Sequence, residues 1–142
     1  MNTFKTLLVA VDQSDASDRA VLVARDIAQL AGASLRLLHV REHQVVAGKG
    51  GGVFDLEEPE QVEQLLKKEL TALEGSGLEV HTELRRANVG HAAQQIVAAA
   101  ESADAGMIVM GSRGRSELAA LLLGSTAYKV LHLADRPVLI VH

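Results

Sequence analysis

The chain predicts a doubly wound α/β domain, a five-stranded parallel sheet with helices on both faces. Three observations predict it. Short apolar runs alternate along the chain with segments whose apolar residues recur at helical spacing. Most of the runs are continuously apolar, as strands covered on both faces require. One run, Met107-Ile108-Val109-Met110, leads straight into a glycine turn, Gly111-Ser112-Arg113-Gly114, and a second small-residue turn, Gly124-Ser125-Thr126, opens the last helix.

The first strand is expected over 6–11, from Leu7-Leu8-Val9-Ala10-Val11. Asp12-Gln13-Ser14 ends it, and Ser14 or Asp15 can cap the next helix. That helix carries Ala20, Val23, Ala24, Ile27, Leu30 and Ala31 on its inward stripe and stops at Gly32. A second strand is expected over 35–40. A long loop over 42–58 follows, with Gly48-Lys49-Gly50-Gly51-Gly52 inside it. Pro59 opens the second helix, whose stripe is Val62, Leu65, Leu66, Leu70 and Leu73. The third strand, 78–84, alternates strictly, which suits an edge with one wet face. Arg85-Arg86 read as a solvated pair at its end. The third helix turns Ala92, Ile96, Val97 and Ala100 inward. The last helix holds Ala127, Val130, Leu131 and Ala134, and Pro137 introduces the fifth strand, 138–141.

A chain of 142 residues reads as one domain, 1–142, long enough to bury a core. The net charge of −4 and the scarcity of aromatics argue against nucleic acid. There is no cysteine, hence no disulfide framework and no thiolate chemistry. Arg113 and Glu117 interrupt the best apolar stretch, so no membrane insertion is expected. Met-Asn-Thr-Phe-Lys does not read as a signal peptide, and the expected location is cytoplasmic.

The chemistry concentrates at the two glycine turns. Glycine lets a backbone approach a ligand closely and adopt positive φ. Backbone N–H groups can then converge on one anion, and the N-terminus of the following helix adds to the pull. Ser125 and Thr126 can donate hydroxyl bonds to the same oxygens. The plainer reading is two ordinary turns flanking a short amphipathic helix over 118–123. Gly48-Lys49-Gly50 is not a P-loop, because no Ser or Thr follows the lysine, and a flexible loop is the better reading. Asp12 reads as a capping, site-shaping carboxylate rather than a catalytic base. His39 and His43 do not share a helix face, and each histidine reads as solvated or core-edge. No metal ligand and no catalytic residue is assigned.

In these residues the chain resembles the universal stress protein family, in its ATP-binding subgroup. That subgroup's motif is Gly, two residues, Gly, nine residues, Gly, then Ser or Thr; here it is Gly111, Gly114, Gly124 and Ser125. The family's Asp after an apolar first strand, followed closely by Ser, is Asp12 with Ser14. Gly90, Ile96 and Arg136-Pro137-Val138-Leu139 also match. Gln13 and Ser116, often Gly in relatives, depart. The resemblance implies a Rossmann-like fold, similar to the adenine nucleotide alpha hydrolases, with strand order 3-2-1-4-5 and a topological switch between strands one and four. It implies that adenine packs near Ala10, Val11 and Val40, with the Val40 backbone reading its edge. Asp12 then lies beside the ribose and phosphates, and Met110 and Gly111 line the sugar. Ser112, Arg113 and Gly114 wrap the phosphates from one side, and Gly124, Ser125 and Thr126 from the other. The implied ligand is ATP, with or without Mg2+; AMP and ADP are alternatives. The implied assembly is a homodimer through 138–141, and the implied function is a nucleotide-dependent regulatory module in a stress response, with an unknown protein partner. The alternatives are a slow ATPase or phosphotransferase, or a nucleotide-free interaction scaffold.

Overall fold

The computed structural model describes residues 3–113 and 123–142. Its elements are β1 (Thr6–Ala10), α1 (Asp15–Ala31), β2 (Ser34–Val46), β3 (Gly52–Asp55), α2 (Pro59–Ala72), β4 (Val80–Asn88), α3 (Ala92–Ser102), β5 (Met107–Gly111), α4 (Ser125–Leu133) and β6 (Val138–Val141). The pairings β4-β2, β2-β1, β1-β5 and β5-β6 are all parallel. Counted alone, these five strands have the expected order, with β4 and β6 at the edges. The sixth strand departs from expectation: β3 pairs antiparallel with the far end of β2.

Two clusters hold the sheet. Leu7, Val9, Leu35, Leu37 and Val109 pack with α1 and α2 residues such as Ala20, Val21, Ala24 and Leu65. Leu8, Leu38, Ile108 and Met110 pack on the other face with Ala93, Ile96, Ala99, Ala127 and Val130 of α3 and α4. Alternate residues of one strand thus feed opposite layers, which is why the runs read as continuously apolar. Among the described residues no helix is long and apolar enough to cross a membrane.

Helix α1 starts as its sequence demands. Ser14 is the N-cap, its hydroxyl accepting from the Ser17 N–H at 3.1 Å. It ends at Gly32, at φ 67°, whose N–H bonds to the Ala28 carbonyl. The buried stripe of α1 is Ala16, Ser17, Ala20, Val21, Ala24 and Ala28, rotated from the expected one, and Leu30 stands 90% exposed at the last turn. On α2 the expected Val62, Leu65 and Leu73 are buried and Leu66 packs against the core, but Leu70 is exposed and Glu69 is buried beside it. A carboxyl, Glu69, therefore occupies a position where periodicity expects an aliphatic side chain.

Three further expectations change. The 42–58 segment is not a structureless loop. Strand β2 runs on to Val46, and a glycine turn, with Gly48 and Gly50 at positive φ, sends the chain back as β3. Strand β4 begins at Val80 and continues through Arg85 and Arg86 to Asn88, so the two arginines lie within it. Its apolar Leu84 is exposed, whereas Glu83 and Arg85, which pair at 3.3 Å, are half-covered. In α4, Leu131 is exposed and Val130 carries the packing.

Candidate functional site

The connections after β1 and β5 leave to opposite faces of the sheet. Helix α1 packs in one cluster and α4 in the other. A crevice opens outside the carboxyl ends of these two strands, as in other doubly wound sheets. It holds a cavity of about 560 Å³, a size suited to a small-molecule ligand.

Strand β2 shapes one wall. Its backbone groups alternate sides. Leu35 and His43 bond toward β4, through Leu35 N–H to the Glu79 carbonyl and Val89 N–H to the His43 carbonyl. Ser34, Leu38 and Glu42 bond toward the β1 side, through Lys5, Val11 and Leu56. Val40 shares the parity of Leu38 and Glu42, so its N–H and C=O point toward the β1 side. There β1 has already ended, and the 55–57 segment does not begin pairing until Glu42. Among the described residues Val40 meets no strand partner on that side. Its donor and acceptor face the gap together.

Ala10, Leu38, Val40, Ala92, Ile96, Met110 and Ala127 line the α3–α4 side of the cavity and make an apolar slot. Asp12, Gln13, His39 and Glu57 give it a polar side. The Asp12 Oδ1 accepts the Ser14 N–H at 2.7 Å, and the Asp12 N–H donates to Ser17 Oγ at 2.9 Å. This fixes the carboxylate to the start of α1. At the opposite wall, Gly124 is the N-cap of α4 and gives its own N–H to the Ser112 carbonyl at 2.7 Å. The first-turn N–H groups of α4 have no acceptor within the helix, and Ser125, Thr126 and Ala127 line the cavity. Such a helix start favours an anion.

Of the residues expected in the site, Ala10, Val11, Asp12, Val40, Met110, Gly111, Arg113, Gly124, Ser125 and Thr126 all line this cavity. Ser112 does not. It is buried, its N–H bonds to the Val141 carbonyl and its C=O is taken by Gly124. It ties β5 and α4 together rather than facing the crevice. Gly114 and Ser116 lie outside the described residues. The glycines are also used differently from expectation. Neither Gly111 nor Gly124 adopts positive φ. Gly111 is needed for close approach: a Cβ there would sit 2.8 Å from the Ala16 Cβ and 2.9 Å from the Ala16 carbonyl carbon. Among the described residues no cluster of three acidic or histidine side chains could hold a metal ion.

Two residues at the site were not assigned to it from the sequence. His39 is 3% exposed; its Nδ1 lies 2.7 Å from the Val11 carbonyl and its Nε2 2.8 Å from Glu57 Oε1. A carbonyl can only accept, so Nδ1 carries a proton. A single imidazole inside the apolar run Leu37-Leu38-His39-Val40 was the available signal; nothing marked Glu57. The Glu57 carbonyl accepts from Arg41 at 2.8 Å, and Arg41 and Arg86 both pair with Asp55, so the chain from β3 into α2 is fastened at the edge of the gap. On the far rim Glu42 Oε2 accepts the Gly90 N–H at 2.9 Å, and Lys129 donates to the Gly90 carbonyl at 3.0 Å.

Behind this wall, Glu69 of α2 faces Asp18 of α1. Its burial, then the hydrogen bond and charge of Asp18, push the Glu69 carboxyl up to about 8. Against the upward push of its own burial, the hydrogen bond with Glu69 and the ammonium of Lys68, 2.9 Å away, hold Asp18 below its ordinary value.

Comparison with known proteins places this architecture. A universal stress protein of Mycolicibacterium smegmatis is 38% identical over 96% of the chain, which spans about half (47%) of that relative's length. Universal stress protein YxiE of Bacillus subtilis is 37% identical over 97% of the chain and 99% of its own length. A universal stress protein crystallised in complex with cAMP superposes with a TM-score of 0.72 at 25% identity, covering 98% of this chain and 97% of its own. The model of the Universal stress protein family matches residues 3–142, and the chain belongs to that family.

Proposed function

We propose that the chain binds an adenine nucleotide in the crevice between β1 and β5 and acts as a nucleotide-dependent regulatory module. The observation that carries this reading is the Val40 backbone edge beside the apolar slot. A C=O and an N–H set side by side complement the amino group and ring nitrogen N1 of adenine, and the slot suits a flat base. The α4 start, with Ser125 and Thr126, is the phosphate-facing end, and Asp12 lies beside the sugar. A relative crystallised with cAMP supports an adenine ligand. ATP is the proposed occupant, with Mg2+ carried by its phosphates, and AMP and ADP are the alternatives to test.

The experiment is mass spectrometry of nucleotide released from freshly purified protein, with calorimetric titration of ATP, ADP and AMP, each with and without Mg2+. Thr126→Glu adds a negative charge at the helix start, which suits the helix but repels phosphate. Loss of binding in a folded Thr126→Glu protein supports the reading. An empty chain that ignores all three nucleotides would leave the scaffold alternative standing. Phosphate release measured beside binding separates a sensor from a slow ATPase.

A homodimer through β6 belongs to the same proposal. Val138, Leu139, Ile140 and Val141 form an edge strand with β5 on one side and every residue partly exposed. An unguarded apolar edge invites a second strand. Light scattering on the wild type and on Ile140→Lys reads it: a dimer that becomes a monomer supports the pairing.

A further inference from the structure

Resting on the adenine reading, we propose that Glu57, held in place by His39, accepts a hydrogen bond from the exocyclic amino group of the base and so selects adenine over hypoxanthine and guanine. The gap that Val40 faces has two sides beyond the strand itself. One is the end of β1, with Val11 and Asp12. The other is the returning segment, where the Leu56 N–H bonds to the Glu42 carbonyl and Glu57 follows. A base edge seated on the Val40 backbone therefore lies between these two sides. Leu56 and Glu57 both line the cavity there.

Glu57 is fixed at both levels. Its backbone carbonyl takes the Arg41 guanidinium at 2.8 Å, and its carboxylate oxygens lie 2.8 and 3.1 Å from His39 Nε2. His39 is in turn anchored on the Val11 carbonyl at 2.7 Å. With Nδ1 protonated on the Val11 carbonyl, one proton is shared between Nε2 and the Glu57 carboxyl, and it occupies one of about four positions that the two carboxyl oxygens offer. The remaining capacity accepts only. An amino group at position 6 of a purine supplies a donor; a carbonyl at that position presents a second acceptor and is repelled.

The other carboxylates at the cavity do not compete for this task. Glu42 gives Oε2 to the Gly90 N–H, and its side chain has the opposite strand parity from His39. Asp12 gives Oδ1 to the Ser14 N–H at the end of β1. Glu57 is the one that borders the returning segment. His39 acts through it as a positioning residue.

The test compares AMP with IMP by calorimetry, because the two share sugar and phosphate and differ only on the base. Wild type should favour AMP by about tenfold or more. Glu57→Leu, similar in size, removes the acceptor altogether. The AMP:IMP ratio should fall several-fold. His39→Asn keeps a donor for the Val11 carbonyl but does not reach Glu57, and the ratio should fall in the same direction. Melting curves confirm that both variants fold. A purely structural role would weaken AMP and IMP alike and leave the ratio unchanged, which overturns the inference while the adenine reading stands. Equal affinity of the wild type for both nucleotides overturns it too. A wild type that binds neither overturns both readings.

Discussion

Replacing Glu69 by Gln should remove a pH dependence of stability that the wild-type chain carries between about pH 4.5 and 8. Glu69 is 2% exposed, and burial, aided by Asp18, raises its carboxyl from 4.5 to about 8. Between those values the unfolded chain ionises Glu69 while the folded chain keeps the proton. The folded state then binds more protons, so its stability falls as pH rises, by about 1.4 kcal/mol per pH unit. The contribution is fully present below the unfolded value and lost as pH passes the folded one. From pH 4.5 to pH 7 the loss accumulates to about 3 kcal/mol. Gln has no proton to lose and can still donate to Asp18. The stability difference between Glu69→Gln and wild type should therefore widen by a few kcal/mol from pH 4.5 to 8, and the gap in Tm by on the order of 10 °C. Asp18 works in the opposite sense: its lowered carboxyl stabilises above 3.8 and that contribution is lost as pH falls through the lowered value, outside the Glu69 window. Urea unfolding of both proteins across this range reads the difference, and taking the difference cancels the titrating groups that do not interact with Glu69; Asp18 and Lys68, which do, titrate outside the window. A flat line, or a gap that narrows as pH rises, refutes a Glu69 that is neutral in the fold.

Gly111→Ala should destabilise by about 1–3 kcal/mol in urea unfolding, because the new methyl meets Ala16 at 2.8 Å and α1 has to shift. Ser14→Ala removes the α1 cap and should cost about 1 kcal/mol by the same assay. Leu65→Ala should cost about 2–5 kcal/mol and exposed Leu70→Ala well under half of that; the reverse order would mean that α2 turns a different face inward.

The parts of the fold legible in the sequence are those whose packing is written in their own residues. β1 and β5 are buried on both faces, so Leu7-Leu8-Val9 and Met107-Ile108-Val109 are apolar throughout. The Asp12–Ser14 turn and the Ser14 cap are local, and local hydrogen bonds leave a local signature. The extension of β2 left none. Arg41-Glu42-His43-Gln44 breaks the apolar run, and what keeps it extended is β4 on one side and β3 on the other, from residues far along the chain. The Asp55 pairs with Arg41 and Arg86 that brace this hairpin are tertiary as well. One position of α2, Leu70 in place of Glu69, departs from its periodicity, because a glutamate counts as polar in any such pattern. A buried Glu69 that keeps its proton against Asp18 packs as a neutral side chain, and no sequence pattern reports a retained proton. At the candidate site the glycine turns were legible by type, but Gly111 serves the packing of α1 at least as much as any ligand.

The mismatch in strand lengths explains why an open crevice exists here at all. β1 spans 5 residues and β2 spans 13. The overhang turns the Val40 donor and acceptor toward a neighbour that stops short, and β3 returns far enough out to leave the gap open. A buried amide group without a partner costs about 1–3 kcal/mol, so a closed sheet would have filled this place with strand. The gap persists because Arg41, Asp55, Glu57 and His39 fasten the returning segment at its edge instead of across it. A ligand that supplies both a donor and an acceptor recovers what the missing strand would have given. Its binding energy is then also folding energy: at a hundred times Kd it should add about 2.7 kcal/mol to unfolding. Among the candidate ligands, the one whose base edge matches the gap should raise Tm most, so thermal shift ranks them by the same geometry that calorimetry measures.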